Sequence, residues 1–178
     1  MADPVRLRRL LESDLAALAR WRRAPDLREQ LANAAAARSD AEAIAQLRGW
    51  LMPTRNELRL AIVRADDGEL VGLASLAPID REAGEAEIHV FLAEASERGR
   101  GYGRAATSAM LAHAFDELEL WRVRSRAPRT SEAALRVWAA LGFEPEGPVE
   151  ADVISMSVTD AMFRLRQAAA VVQAMRAL

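Results

Sequence analysis

The chain has 178 residues, 51% apolar and 28% charged, a length and balance that fit one folded domain and argue against a disordered chain. Cysteine is absent and all 24 basic residues are arginine, which excludes disulfides, thiolate metal sites, an acyl-cysteine intermediate and a Schiff-base lysine. A formal net charge of −2 argues against general nucleic-acid binding, and no apolar run or signal-like start points to a membrane, so the chain is expected in the cytoplasm.

Val5 to Leu10 reads as a first strand. Ser13 or Asp14 can cap a helix carrying Leu15, Leu18 and Trp21, and Pro25 marks a short helical segment through Leu31. Ser39 and Asp40 open another helix, with Ile44, Leu47, Trp50 and Leu51, that ends at Pro53. Trp21 and Trp50 fall at helical spacing and read as core, with the lining of an acceptor entrance as the other reading. Two strands, Leu58 to Arg64 and Glu69 to Leu76, are joined at Asp66, Asp67 and Gly68, where the Asp-Gly pair is a strong hairpin signal. Pro78 begins a second turn that lasts to Gly84, and Glu85 to Leu92 completes a three-stranded meander.

That third strand runs into Arg98, Gly99, Arg100, Gly101, Tyr102, Gly103 and Arg104, and these open directly into a helical pattern from Gly103 to Leu118. Glycines let backbone N–H groups converge on one point, the helix N-terminus adds partial positive charge and the arginines add full charge. The result is a socket for a pyrophosphate. A Walker-type loop fails because the chain has no lysine. A dinucleotide fingerprint is met by Gly101, Gly103 and Ala106, but it calls for an acid about 20 positions on at the end of a second parallel strand; here the preceding segments look like a hairpin, and the following strand, WRVRSRA, ends in basic residues. The acyl-CoA loop Q/RxxGxG/A is matched by Arg98, Gly101 and Gly103; a solvated basic turn is the plain alternative.

The helix after the socket carries Ala106, Met110, Ala114 and Phe115 on one stripe, and His113 near its far end reads as structural or surface. Trp121 to Ala127 follows a crossover helix, so it should run parallel to Glu85–Leu92. Thr130 or Ser131 caps a helix that Gly142 ends beyond Leu141, and Val149 to Val158 holds one or two last strands. From Thr159 to Leu178 a helix places Met162, Leu165, Ala169, Val172 and Met175 on one face, which either a second subunit in a homodimer or the domain's own surface must cover.

The segments AEIHVFL, RGRGYGRAATSAMLAHAFDELELWRVRSRA and SEAALRVWAALGF, in that order, resemble the core of the GNAT superfamily of N-acetyltransferases, in the branch similar to the ribosomal-protein N-terminal acetylating enzymes. The resemblance implies an α/β (α+β) fold: a mixed, mostly antiparallel central sheet flanked by helices, over residues 1–158, with an extra C-terminal helix over 159–178. It implies acetyl-CoA as donor, no metal, and direct transfer to a primary amine on a small molecule or a peptide or protein N-terminus. Arg98 to Arg104 would hold the donor, and Phe91, Leu92 and Ala93 match positions whose free amides polarise the thioester oxygen.

An amine acceptor arrives as ammonium and needs a base. Glu87, His89 and Phe91 share one face of their strand, which makes Glu87 the first candidate base, directly or through a water, and His89 a proton relay beside it, with an ion pair to an arginine as the other reading of Glu87. Two positions depart from the family. Ser131 stands where an asparagine commonly touches pantetheine, and Trp138 where many relatives carry a tyrosine general acid, although an indole N–H is a poor proton source. Those departures keep a second class open, a non-catalytic acyl-CoA-binding sensor or scaffold.

Overall fold

Short runs of branched and aromatic residues, each stopped by a turn, pair into one sheet. A computed structural model describes residues 3–23, 39–146 and 152–176, so the helix expected at Pro25–Leu31 lies outside the described residues. The strands are β1 (Val5–Arg9), β2 (Leu58–Arg64), β3 (Leu70–Asp80), β4 (Glu85–Leu92), β5 (Arg122–Pro128), β6 (Glu144–Pro145) and β7 (Val153–Thr159), ordered β1-β2-β3-β4-β5-β7-β6. Every neighbouring pair is antiparallel except β4 and β5. A crossover helix joins those two, which is why they can run parallel.

Among the described residues the helices are α1 (Leu15–Arg23), α2 (Asp40–Leu47), α3 (Tyr102–Asp116), α4 (Glu132–Ala140) and α5 (Asp160–Arg176). On one face of the sheet α3 buries Ala106, Met110, Leu111 and Ala114 against Ile62, Leu76, Ile88 and Val123, with Trp138 and Phe143 closing the layer. On the other, α1 and α2 bury Leu15, Leu18, Trp21 and Leu47 against Ala61, Val63, Leu73 and Phe91. The mixed sheet between two helical layers is the expected architecture.

Local departures from the expected elements have identifiable causes. β3 runs through Pro78 to Asp80 instead of turning there, because a register shift between Leu76 and Ile79 puts the proline at a bulge, where no ladder donor is required. Trp50 and Leu51 sit in a 3₁₀ turn after α2, with the Arg59 guanidinium 4.7 Å above the Trp50 ring. Asp14 does not cap forward. Its carboxylate accepts from the Leu11 amide at 2.8 Å and takes both Arg8 guanidinium nitrogens at 2.6 and 2.9 Å, at 5% exposure. Burial pushes that carboxyl up, but the Arg8 bonds and the Leu11 amide outweigh it, and the balance lies below the usual aspartate range.

The stripe on α5 divides. Met162 packs against the core, whereas Leu165, Val172 and Met175 are exposed among the described residues; Phe163, outside the stripe, packs against Phe115 with ring centroids 5.6 Å apart.

Candidate active site

The site begins where two parallel strands part. β4 pairs with β5 only at Glu85, Ala86 and Glu87, opposite Arg122, Val123 and Arg124. The Ser125 hydroxyl then donates to the Ile88 carbonyl at 3.1 Å, while β5 pairs along its whole length with β7. Past Ile88, β4 stays with β3 alone as far as Leu92. Gly72 permits that close approach, since a Cβ there would stand 2.2 Å from the Phe91 carbonyl oxygen.

Antiparallel pairing sends alternate amides to opposite sides. Ala93 donates to the Val71 carbonyl at 2.9 Å, so odd residues of β4 point into β3 and even ones toward the gap, as the Ile88 carbonyl does. This corrects the expectation for residues 91–93 taken as a block. Leu92 presents its amide to the gap, together with Val90, which the motif match passed over; the amides of Phe91 and Ala93 lie on the β3 side.

A few residues further on, the chain turns through Gly99 and Gly101, at φ 75° and 82°, and Gly101 caps α3. Positive φ is the reason for glycine at both. Among the described residues the amides of Gly99, Arg100, Gly101, Tyr102, Gly103 and Arg104 donate to no acceptor, the first helical bond being from Ala105 to Gly101. Nothing stands within 4 Å of a Cβ built on Gly99, Gly101 or Gly103, so the loop has open space before it. Tyr102 is buried and anchors the first turn, and Arg98, Arg100 and Arg104 are exposed around it. Six successive unengaged donors at the positive end of a 15-residue helix, ringed by guanidinium groups, fit a diphosphate.

On the opposite face of the sheet from α3, Glu87, His89 and Phe91 share a side as the alternation predicted. Both Glu87 oxygens accept from Arg126, Oε1 from Nε and Oε2 from Nη2, each at 3.1 Å. Proton acceptance at Glu87 therefore competes with an ion pair. His89 is 49% exposed, with Nε2 3.1 Å from the Ala77 carbonyl and 3.6 Å from Glu87 Oε1. A carbonyl can only accept, so Nε2 is the donor of that bond. Phe91 meets Trp21 edge-on at 5.6 Å, which makes it the floor of this face.

Ser131 stands at the start of α4, its amide donating to the Pro128 carbonyl at 2.8 Å and its hydroxyl capping nothing. Trp138 is buried against Phe143, with centroids 5.9 Å apart. Among the described residues no three His, Cys, Asp or Glu side chains gather as a metal site, and no helix is long and apolar enough to cross a membrane. Arg126 and Ser125 were passed over in the sequence; once β4 and β5 are taken as parallel, Arg126 falls on the same side as Glu87 and two residues past its partner Arg124.

Residues 5–144 match the family described as "Acetyltransferase (GNAT) domain". The chain is 39% identical over 79 residues to the mycothiol acetyltransferase of Streptomyces coelicolor, covering 43% of this chain and 23% of that protein. It is 38% identical over 81 residues to the putative ribosomal N-acetyltransferase YdaF of Bacillus subtilis, covering 46% and 44%. The chain thus matches less than half the length of either relative. Among solved structures, the spermidine N-acetyltransferase of Vibrio cholerae in complex with CoA and spermine superposes with a TM-score of 0.76 at 19% identity, over 92% of this chain and 99% of that one. A structure described as a probable acetyltransferase gives 0.74 at 24% identity, over 90% and 95%.

Proposed function

This chain belongs to the GNAT acetyltransferase family, and from that premise we propose that it transfers an acetyl group from acetyl-CoA directly to a primary amine, on a small molecule or a peptide or protein N-terminus. The observation that carries this reading is the run of six unengaged amides from Gly99 to Arg104. It follows directly on the strand whose Val90 and Leu92 amides face a gap.

Acetyl-CoA supplies an activated acyl group; the rest of the chemistry belongs to the chain. The loop amides, with Arg98, Arg100 and Arg104, neutralise a diphosphate. Val90 and Leu92 present fixed donors to a developing oxyanion, a contribution on the order of 3 kcal/mol when such a donor is preorganised. His89, its tautomer set by the Ala77 carbonyl, takes the ammonium proton at Nδ1. Glu87, 3.6 Å from Nε2, stabilises the imidazolium that results while Arg126 fixes its orientation. The new C–N bond replaces the C–S bond, and the thiolate leaves toward solvent. Buried Trp138 offers no acid.

Release of free thiol with a panel of amines tests the reading. His89→Ala should lower kcat about a hundredfold at neutral pH, and the deficit should shrink at high pH, where free amine is abundant. Superimposable pH profiles would remove His89 from the chemistry. The buried Trp138 favours the sensor reading instead, and a protein that binds coenzyme A tightly yet turns over no amine would establish it. The exposed Leu165, Val172 and Met175 on α5 support a homodimer; a monomeric mass in solution would exclude it.

A further inference from the structure

Glu97 ends the 3₁₀ turn Ala95–Glu97 that leads into the loop, and it is 8% exposed. Its Oε1 accepts from Arg64 Nη1 at 3.1 Å. Arg64 in turn holds Asp67, Nε to Oδ1 at 3.1 Å and Nη2 to Oδ2 at 2.7 Å, and also Glu69. The other oxygen, Oε2, is buried with no hydrogen-bond partner among the described residues. The Arg100 guanidinium stands 3.8 Å from it, within ion-pair range but beyond a hydrogen bond.

A buried carboxylate oxygen without a donor is destabilising, so the charge of Arg100 is what offsets it. Arg64, Glu97 and Arg100 then form one chain of charges from the β2–β3 hairpin to the rim of the socket. We propose that Glu97 is a positioning residue for the donor: braced by Arg64, it holds Arg100 at the socket. This rests on the acetyl-CoA reading of the loop.

The sign of the effect separates positioning from plain Coulomb repulsion. A carboxylate beside a diphosphate repels it, so if charge alone mattered, removing Glu97 would tighten binding. If positioning dominates, removal weakens it. The same charge also distinguishes the two conservative changes, because Glu97→Gln keeps an oxygen for Arg64 but loses the attraction for Arg100.

The experiment titrates coenzyme A, and separately pantetheine, into the wild type, Glu97→Gln, Glu97→Ala, Arg100→Ala and Glu97→Ala/Arg100→Ala by calorimetry. Glu97→Ala should weaken coenzyme A about tenfold, a change of about 1.4 kcal/mol. Glu97→Gln should weaken it less. Pantetheine, which lacks the diphosphate, should bind all variants alike, and the double variant should be no weaker than Arg100→Ala. In turnover, the KM for acetyl-CoA should rise while kcat holds. Unchanged or tighter coenzyme A binding in Glu97→Ala, or additive losses in the double variant, would overturn the assignment; if Glu97→Ala does not fold, unchanged or tighter binding in Glu97→Gln does the same. A wild type that binds no coenzyme A would instead overturn the donor reading beneath it.

Discussion

Arginine serves opposite ends in two neighbouring regions. Along β5, Arg122, Arg124 and Arg126 face Glu85, Glu146 and Glu87, with Arg124 Nη2 2.5 Å from Glu85 Oε2 and Arg126 bidentate on Glu87. In the loop and the first turn of α3, Arg98 and Arg104 have no acidic partner among the described residues, and six consecutive amides there have no acceptor. Residue type does not separate the two regions; the presence of an internal partner does. Groups already satisfied hold the sheet together, and groups left unsatisfied at a helix start are available to a ligand. Loss of the first kind should appear as stability, loss of the second as affinity.

The largest break of that contrast is Gly101→Val. A β-branched side chain at φ 82° is strained and its bulk enters the open space before the amides, so coenzyme A affinity should fall by on the order of a hundredfold, near 3 kcal/mol, in calorimetry. Gly72→Ala should act on both sides of the contrast. Its Cβ would meet the Phe91 oxygen at 2.2 Å, so the end of β4 must shift, at a cost of about 2 kcal/mol in denaturant unfolding and with a lower kcat as the Leu92 amide moves.

Asp14→Asn belongs wholly to the satisfied class. It should cost about 1.5 to 2 kcal/mol of stability at neutral pH and leave coenzyme A affinity unchanged. Because the folded carboxyl lies below its usual value, its contribution is complete above the unfolded value of about 3.9 and is lost as pH falls through the folded value. The difference in unfolding free energy from wild type should be flat near pH 7 and close below about pH 4. Arg124→Gln is the smallest change. Its half-exposed guanidinium faces solvent, so stability should move by less than about 1 kcal/mol, with no change in donor binding.

Features set by local chemistry were legible in the sequence. The Asp67-Gly68 turn, the alternation that puts Glu87, His89 and Phe91 on one face, and the glycines at the start of α3 all depend on residues close in the chain. Features set by long-range partners were not. Pro78 reads as a turn until β4 is seen pairing past the bulge at Leu76–Ile79. Glu97 carries no local signal, because its place is set by Arg64, 33 positions away. Which amides of residues 91–93 are available depends on the direction in which β3 takes its bonds, and Val71 decides that. The Glu87 pair with Arg126 spans 39 positions and needs the parallel register of β4 and β5.

Amide chemical shifts during a coenzyme A titration test the central claim most directly. Resonances of Gly99, Arg100, Gly101, Tyr102, Gly103 and Arg104 should move together and saturate with the binding isotherm, while those of Arg122, Arg124 and Arg126 stay in place and pantetheine leaves the loop unperturbed. Saturable binding of coenzyme A with the six loop amides unmoved would contradict the account.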